Sequence, residues 1–281
     1  MTKRILMEYD LSGIIDLHIH TQPDVQPRLL DDLQAAEEAK KARMRAILIK
    51  SHVVPTSGRA TIAEKAVGGI RVLGGLVLNS SVGGLNPDAV EAAIGMNARV
   101  IWMPTRSARN MFRQVGHPEG ITIFDERDMI LPVVGGILEY IRQADIVLAT
   151  GHLSVNESMA LVRMAKAMRL RKIVVTHPES ELVRMPLEVQ QELSGPGVYF
   201  ERCFVDTTQS MNCATSIEEI GERIRRVGFE STLLSTDLGQ PINPSPVEGM
   251  AAYLAALRAA GLSEKEIFRM ASENPAALMD M

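Results

Sequence analysis

Six histidines occur in the 281 residues, and two of them stand one residue apart in the segment "GIIDLHIHTQPD", Gly13 to Asp24. On a β-strand successive side chains alternate between faces, so His18 and His20 would share one face with Asp16. Burying two polar rings side by side is costly unless they have a strong partner, and a metal ion is one. Other residues of the same chemical kind close other short apolar runs: Lys50 ends "RAILIK" and His52 follows it, His152 follows "DIVLATG", and His177 follows "KIVVT". Glu201 lies within "GVYFERCF" and Asp237 ends "STLLSTD".

Neutral imidazole nitrogens bind Zn, Mn, Fe, Co or Ni, and a carboxylate completes an N/O set that leaves a position for water. Such a metal lowers the pKa of its water towards ~7. Asp237 is then the residue to take that water's proton and pass it to a leaving group. His177 could bind metal or polarise a carbonyl or phosphoryl oxygen of the substrate. Lys50 and His52 read equally as substrate contacts and as a lysine with its head in water beside a satisfied loop histidine. Arg106, Arg109 and Arg113 could hold a carboxylate or phosphate between fork-shaped donors, although their spacing suits one solvated helix face better. Asp16 either orients a histidine or pairs inside the sheet. His117, in "VGHPEG", reads as a turn residue.

Eight β-branched apolar runs supply candidate strands: "GIIDLHIH", "RAILIK", "RVLGGLVLN", "RVIWMP", "DIVLATGH", "KIVVTH", "GVYFERCF" and "STLLSTD". Segments of helical period lie between them, among them "LLDDLQAAEEAKKA", "VVGGILEYIRQA" and "PVEGMAAYLAALRAA". Ser154 with Glu157, Ser216 with Glu219, Ser245 with Glu248 and Ser263 with Glu266 have the spacing of a capping box. Asn86-Pro87 and Asn274-Pro275 each suggest an N-cap followed by proline at the first helical position. Alternating strands and helices joined by short connections predict an α/β protein, a (β/α)8 TIM barrel forming a single domain over residues 1–281. An open doubly wound sheet is the alternative, but no G-x-G-x-x-G or P-loop accompanies it. In a barrel every residue singled out above falls at a strand end, where βα loops build the site. One long connection, roughly 104–126, is expected to be functional or mobile.

A composition of 46% hydrophobic and 23% charged residues is that of a globular protein able to fill a large core. Net charge is -4 and no basic block occurs, which argues against a nucleic-acid partner. Cys203 and Cys213 form no C-x-x-C pair, so no disulfide framework is expected. Neither a signal peptide nor a membrane span is expected, and a cytoplasmic protein acting on a small, in some readings anionic, molecule fits best. A homo-oligomer is open.

The opening "DLHIHTQPD", the histidines after the fifth and sixth strands, "STD" after the eighth, and the closing "SENPAALM" together resemble the amidohydrolase superfamily of metal-dependent hydrolases. That resemblance implies a (β/α)8 fold and metal-activated water attacking an amide, ester or lactone. It implies His18, His20 and His152 as metal ligands, Asp237 as ligand and general base, and His177 as ligand or electrophile. Zinc is the favoured divalent ion, with Mn, Fe, Co or Ni as alternatives. Two-metal members carry a bridging Lys or Glu at the end of strand 4, where this chain reads "VIWMPT", so one metal is favoured. Lys50 or Glu201 could still serve a second. "DLHIHT" also resembles the polymerase-and-histidinol-phosphatase type of phosphoesterase, but that family's late D-x-H is absent, since Asp237 is followed by Leu238 and Gly239. Decarboxylation on the same site and a non-catalytic metal- or ligand-binding barrel are the remaining competitors.

Overall fold

The computed structural model describes residues 9–114, 116, 119–211, 213 and 215–281. His117 and the first eight residues lie outside the described residues. The eight expected strands all form: β1 (Ile15–Ile19), β2 (Ala46–Ile49), β3 (Arg71–Val77), β4 (Val100–Trp102), β5 (Val147–Ala149), β6 (Ile173–Thr176), β7 (Val198–Cys203) and β8 (Thr232–Ser235). They stand in sequence order in one eight-stranded sheet. The pairs from β1–β2 to β6–β7 are parallel, and a parallel bridge from Ile19 to Leu238 joins β1 to the residues that follow β8. This is the (β/α)8 barrel topology.

Helices separate the strands: α1 (Asp32–Lys41), α2 (Ser57–Val67), α3 (Pro87–Gly95), α4 (Arg109–Gln114), α5 (Pro132–Ala144), α6 (Val155–Ala167), α7 (Leu187–Leu193) and α8 (Ile217–Val227). After β8 come α9 (Pro246–Ala259), α10 (Glu264–Phe268) and α11 (Asn274–Met279). Local chemistry explains several starts. The capping boxes at Ser154, Ser245 and Ser263 close in both directions, and Asn86 caps α3 with Pro87 at its first position. Asp31 with Gln34 adds a box that the Ser-x-x-Glu pattern misses. At Ser216 the hydroxyl accepts from the Glu219 N–H.

Asn274 departs from expectation. It lies inside a continuous helical stretch, with a π-helical turn over Arg269–Glu273 before it, and caps nothing. Its side-chain amide instead donates to the carbonyls of Phe229 and Thr232, 2.8 Å from each, and so anchors the start of β8. Distant carbonyls won this amide over the helix end.

Tertiary contacts gather the chain into two compact units. The first takes in the described residues up to Lys50 together with Gly58–Gly74 and Arg202–Met281; the second takes in Ser51–Ser57 and Gly75–Glu201. Strands β3 and β7 run through both. The core of the first unit sets Ile14, Ile47 and Ile49 against Ala36, Tyr253, Leu254 and Leu257, all nearly inaccessible. Each fully buried Ile or Leu contributes about 1.5–3 kcal/mol by leaving water. In the second unit Val90, Ile101, Ile137, Leu138 and Leu161 are buried likewise.

Candidate metal centre

Within the first unit, the C-terminal ends of β1, β2 and β8 bring the first candidates together. Parallel pairing sets Asp16 opposite Ile47 but Ile19 opposite Ile49, so β1 carries one extra residue between them. A bulge of this kind re-aims a side chain. Here it falls within Leu17–His18. The Nε2 atoms of His18 and His20 reach the same oxygen, Asp237 Oδ1, at 3.0 and 2.9 Å. Both histidines are buried, while the Asp237 side chain is 13% exposed.

The backbone fixes the chemistry of His20. Its Nδ1 lies 2.8 Å from the carbonyl oxygen of Lys50, which can only accept, so Nδ1 carries the hydrogen and Nε2 keeps its lone pair. Burial pulls the His20 pKa down to about 4, against the opposing pull of its hydrogen bond and charge interaction with Asp237. The neutral ring is the metal-binding form. A lone pair 2.9 Å from a carboxylate oxygen is repulsive until a cation stands between them. His18, His20 and Asp237 offer two imidazole nitrogens and one carboxylate oxygen, all within 4.8 Å of one another. This donor set fits a divalent ion such as zinc.

Lys50 does not send its head to water. Its Nζ is buried 2.9 Å from His18 Nε2. On the other side of that ring, Nδ1 lies 3.8 Å from Cys203 Sγ.

Asp16 resolves to the second of its two readings. Its carboxylate accepts from Thr236 N at 3.1 Å, Thr236 Oγ1 at 2.6 Å and the backbone N–H of His18 at 3.2 Å. It joins β1 to the end of β8 rather than orienting a ring. Burial pushes its pKa up to about 7, against these hydrogen bonds.

The backbone around Asp237 is specialised. Asp237 has φ 52°, a left-handed conformation uncommon outside glycine, and its N–H donates to the His18 carbonyl at 2.7 Å. Two residues on, Gly239 has φ 142°, and a Cβ there would stand 2.0 Å from the carbonyl oxygen of His20. Only glycine lets the chain after β8 pass this close to His20. The loop after β1 is clamped by Arg59 of α2, which grips both carboxylate oxygens of Asp32 at 2.7 and 2.8 Å and donates to the carbonyls of Pro23 and Thr21. In the same loop Arg28 and Asp24 form a buried ion pair at 3.0 Å.

The second unit holds the other histidines. His152 follows Gly151, where φ is 61° and a Cβ would meet the Met103 carbonyl at 2.3 Å. His177 follows the last residue of β6, with φ 51°. The His152 ring lies 5.5 Å from that of His177 and 6.1 Å from that of His52, in edge-on contact with each. His52 Nδ1 meets Thr105 Oγ1 at 2.8 Å, and Asn79 binds that same hydroxyl and the His52 carbonyl. Glu201 is buried in β7.

Arg106 is exposed, and Arg109, half-buried, opens α4. The neighbouring Asn110 ties this connection to the carbonyls of His152 and Leu182 at 3.2 and 2.7 Å. Of the residues expected to bind metal, the first unit thus assembles His18, His20 and Asp237, and the second sets His152 beside His177. Sequence reasoning missed Cys203, Arg59, Asn79 and Asn110. Only Cys203 left a signal, since it sits two residues after Glu201 and so on the same face of β7.

A family model described as "Family of unknown function (DUF6282)" matches residues 13–201, a stretch that includes His18, His20, Lys50, His152 and His177 and stops short of Asp237. No curated protein matches. Among solved structures, the chain is similar to an amidohydrolase from Pseudomonas aeruginosa, at 12% identity over 95% of each chain with a TM-score of 0.61. It is also similar to the metallopeptidase dipeptidase AC of family M19, at 13% identity over 96% of this chain and 98% of that one, TM-score 0.66. A third likeness is to 2,6-dihydroxybenzoate decarboxylase from Rhizobium, at 13% identity over 96% and 99%, TM-score 0.51. The resemblance to amidohydrolases read in the sequence holds at the level of the fold.

Proposed function

The chain belongs to the family of unknown function DUF6282, and from that premise we propose that it is a metal-dependent hydrolase of a small amide, ester or lactone, with His18, His20 and Asp237 holding a single divalent ion, zinc by preference. One observation carries this reading: two buried imidazoles direct their Nε2 atoms at one carboxylate oxygen, at 3.0 and 2.9 Å. When bound, a divalent ion supplies Lewis acidity and brings the pKa of a water towards neutrality.

The residues divide the remaining tasks. His20 is held neutral by burial and fixed in orientation by the Lys50 carbonyl, so its lone pair stays on Nε2. His18 presents its Nε2 to the same place. Asp237 joins both and is the exposed member, which makes its carboxylate the group to accept a proton from an attacking water and return it to the leaving group. Its left-handed backbone aims the side chain at the two rings. Strain of this kind gathers at working sites.

The test couples metal content to hydrolysis. Elemental analysis of the purified protein should find one divalent ion per chain, and panels of lactones, amides, esters and phosphate esters should reveal turnover that a chelator removes. Asp237→Asn should lower that turnover by about 10²–10⁴-fold, the usual worth of a positioned acid–base group. A protein that binds no metal, or an Asp237→Asn variant as active as the parent, would overturn the reading. Release of CO2 from a carboxylate substrate without hydrolysis would assign the same ligands to decarboxylation.

A further inference from the structure

We propose that Arg28 binds a carboxylate of the substrate beside the metal centre, so that the hydrolase takes small amides, esters or lactones carrying an acid group; this deepens the proposed function and rests on it. Arg28 lies in the loop between β1 and α1, and backbone bonds dock that loop against the chain after β8. The N–H of Leu29 donates to the Gly239 carbonyl at 2.8 Å, and that of His20 donates to the Leu238 carbonyl at 2.8 Å. Both acceptors directly follow Asp237. The guanidinium charge also acts on His20, whose pKa is lowered chiefly by burial and further by Arg28. A fixed cation thus stands beside a site whose donors suit another cation, and an anion is what reconciles the two.

Asp24 meets only one side of the fork. Its Oδ2 accepts from Arg28 Nε at 3.0 Å and lies 3.0 Å from Nη2, yet Nη2 is buried without a hydrogen bond. Neither Nη2 hydrogen is aimed at the oxygen beside it. Other bonds hold the carboxylate on the Nε side: Asp24 Oδ1 accepts from the Gln26 N–H at 3.2 Å, and the Asp24 N–H donates to Gln22 Oε1 at 2.7 Å. That leaves the outer edge of the guanidinium to grip a second oxyanion with two parallel bonds. Both side chains are 2% exposed, and a buried charged donor left unpaired costs free energy that a bound carboxylate recovers. The charge balance selects the ligand. Burial pushes the Asp24 pKa up, but the Arg28 charge and these hydrogen bonds outweigh it and bring it below the usual carboxylate range, so Asp24 is an anion. A doubly charged phosphate would be repelled by Asp24 more strongly than a singly charged carboxylate.

Calorimetric titration of the full-length protein, metal-free and loaded with Zn2+, tests this with succinate, N-acetylglycine, their neutral amides and inorganic phosphate as probes. In the wild type the carboxylates should bind more tightly than their amides and than phosphate in both forms. Replacing Arg28 alone would leave Asp24 buried and unpaired, so the variant is the double Asp24→Asn/Arg28→Met, which removes both charges. It should lose about 10–100-fold of the carboxylate affinity, and with it the preference over the amides. Arg28→Lys keeps a point charge without the fork and should fall between these extremes; it decides the matter if the double variant does not fold. Equal affinity for carboxylates and amides in the wild type, or a folded variant that binds carboxylates as tightly as its parent, would overturn the proposal. Phosphate bound more tightly than either carboxylate would overturn it too, by assigning the fork to phosphoryl groups. The metal-free arm keeps the two readings apart. Carboxylate binding that the double variant loses, in a chain that takes up no Zn2+, would remove the metal centre and leave the anion site, whereas Zn2+ uptake without carboxylate binding would do the reverse.

Discussion

Asp237 and His18, on which the proposed centre depends, meet through contacts that join residues more than two hundred positions apart. Asp237 is aimed by a left-handed backbone whose N–H bonds to the His18 carbonyl. The next residue back, Thr236, delivers both its N–H and its hydroxyl to the buried Asp16 carboxylate. Replacing Thr236 with valine keeps the shape and removes the hydroxyl, leaving a buried carboxylate one donor short. Urea unfolding should show a loss of about 1–3 kcal/mol, and a variant as stable as the parent would mean that Asp16 finds another donor. At this scale the sequence was partly legible. An H-x-H pair on an apolar strand announces itself through the cost of burying two rings, and "STD" after the last strand offers a carboxylate in the right place. Cys203 shares a strand face with Glu201, but nothing in the strand itself says which side chain that face meets, and the contact with His18 Nδ1 comes from tertiary structure.

Among the elements, β1 and the turn after β8 act as one device. The extra residue in β1 falls between Asp16 and Ile19, beside His18, and Gly239 lets the chain after β8 pass against the carbonyl of His20. Changing Gly239 to alanine adds a methyl where backbone stands 2.0 Å away, in a conformation disfavoured for side chains. The expected result is a lower unfolding midpoint together with weaker Zn2+ binding, because the segment that yields carries either His20 or Asp237. Full metal affinity in Gly239→Ala would show that the turn relaxes away from the ligands. Period and caps made the strands and most helices readable beforehand, since Ser154, Ser245 and Ser263 each meet the glutamate three residues on. The bulge had no such signal. Its cause is pairing with β2, and the same dependence on distant partners moved Asn274 from a helix cap to the carbonyls of Phe229 and Thr232.

For the molecule as a whole, the proposed ligands lie more than two hundred residues apart in the chain, so metal binding there would be linked to folding, because an unfolded chain cannot hold His18, His20 and Asp237 together. An ion that binds only the folded state at 100 times its dissociation constant stabilises by about 2.7 kcal/mol. Calorimetry should therefore show the midpoint rising with Zn2+ and falling with a chelator, and His18→Ala should abolish both shifts. A midpoint indifferent to metal would place any binding outside this centre. The described residues contain no helix long and apolar enough to cross a membrane. The sequence by itself determined the eight apolar runs, the helix starts between them and the residue types at the strand ends, because each depends on side chains only a few positions apart. Tertiary structure alone decided that two imidazoles would share one aspartate oxygen, that Lys50 would turn inward and that a sulfur would stand behind His18. Those contacts follow from the return of the chain after β8 to β1, an event no local stretch of residues encodes.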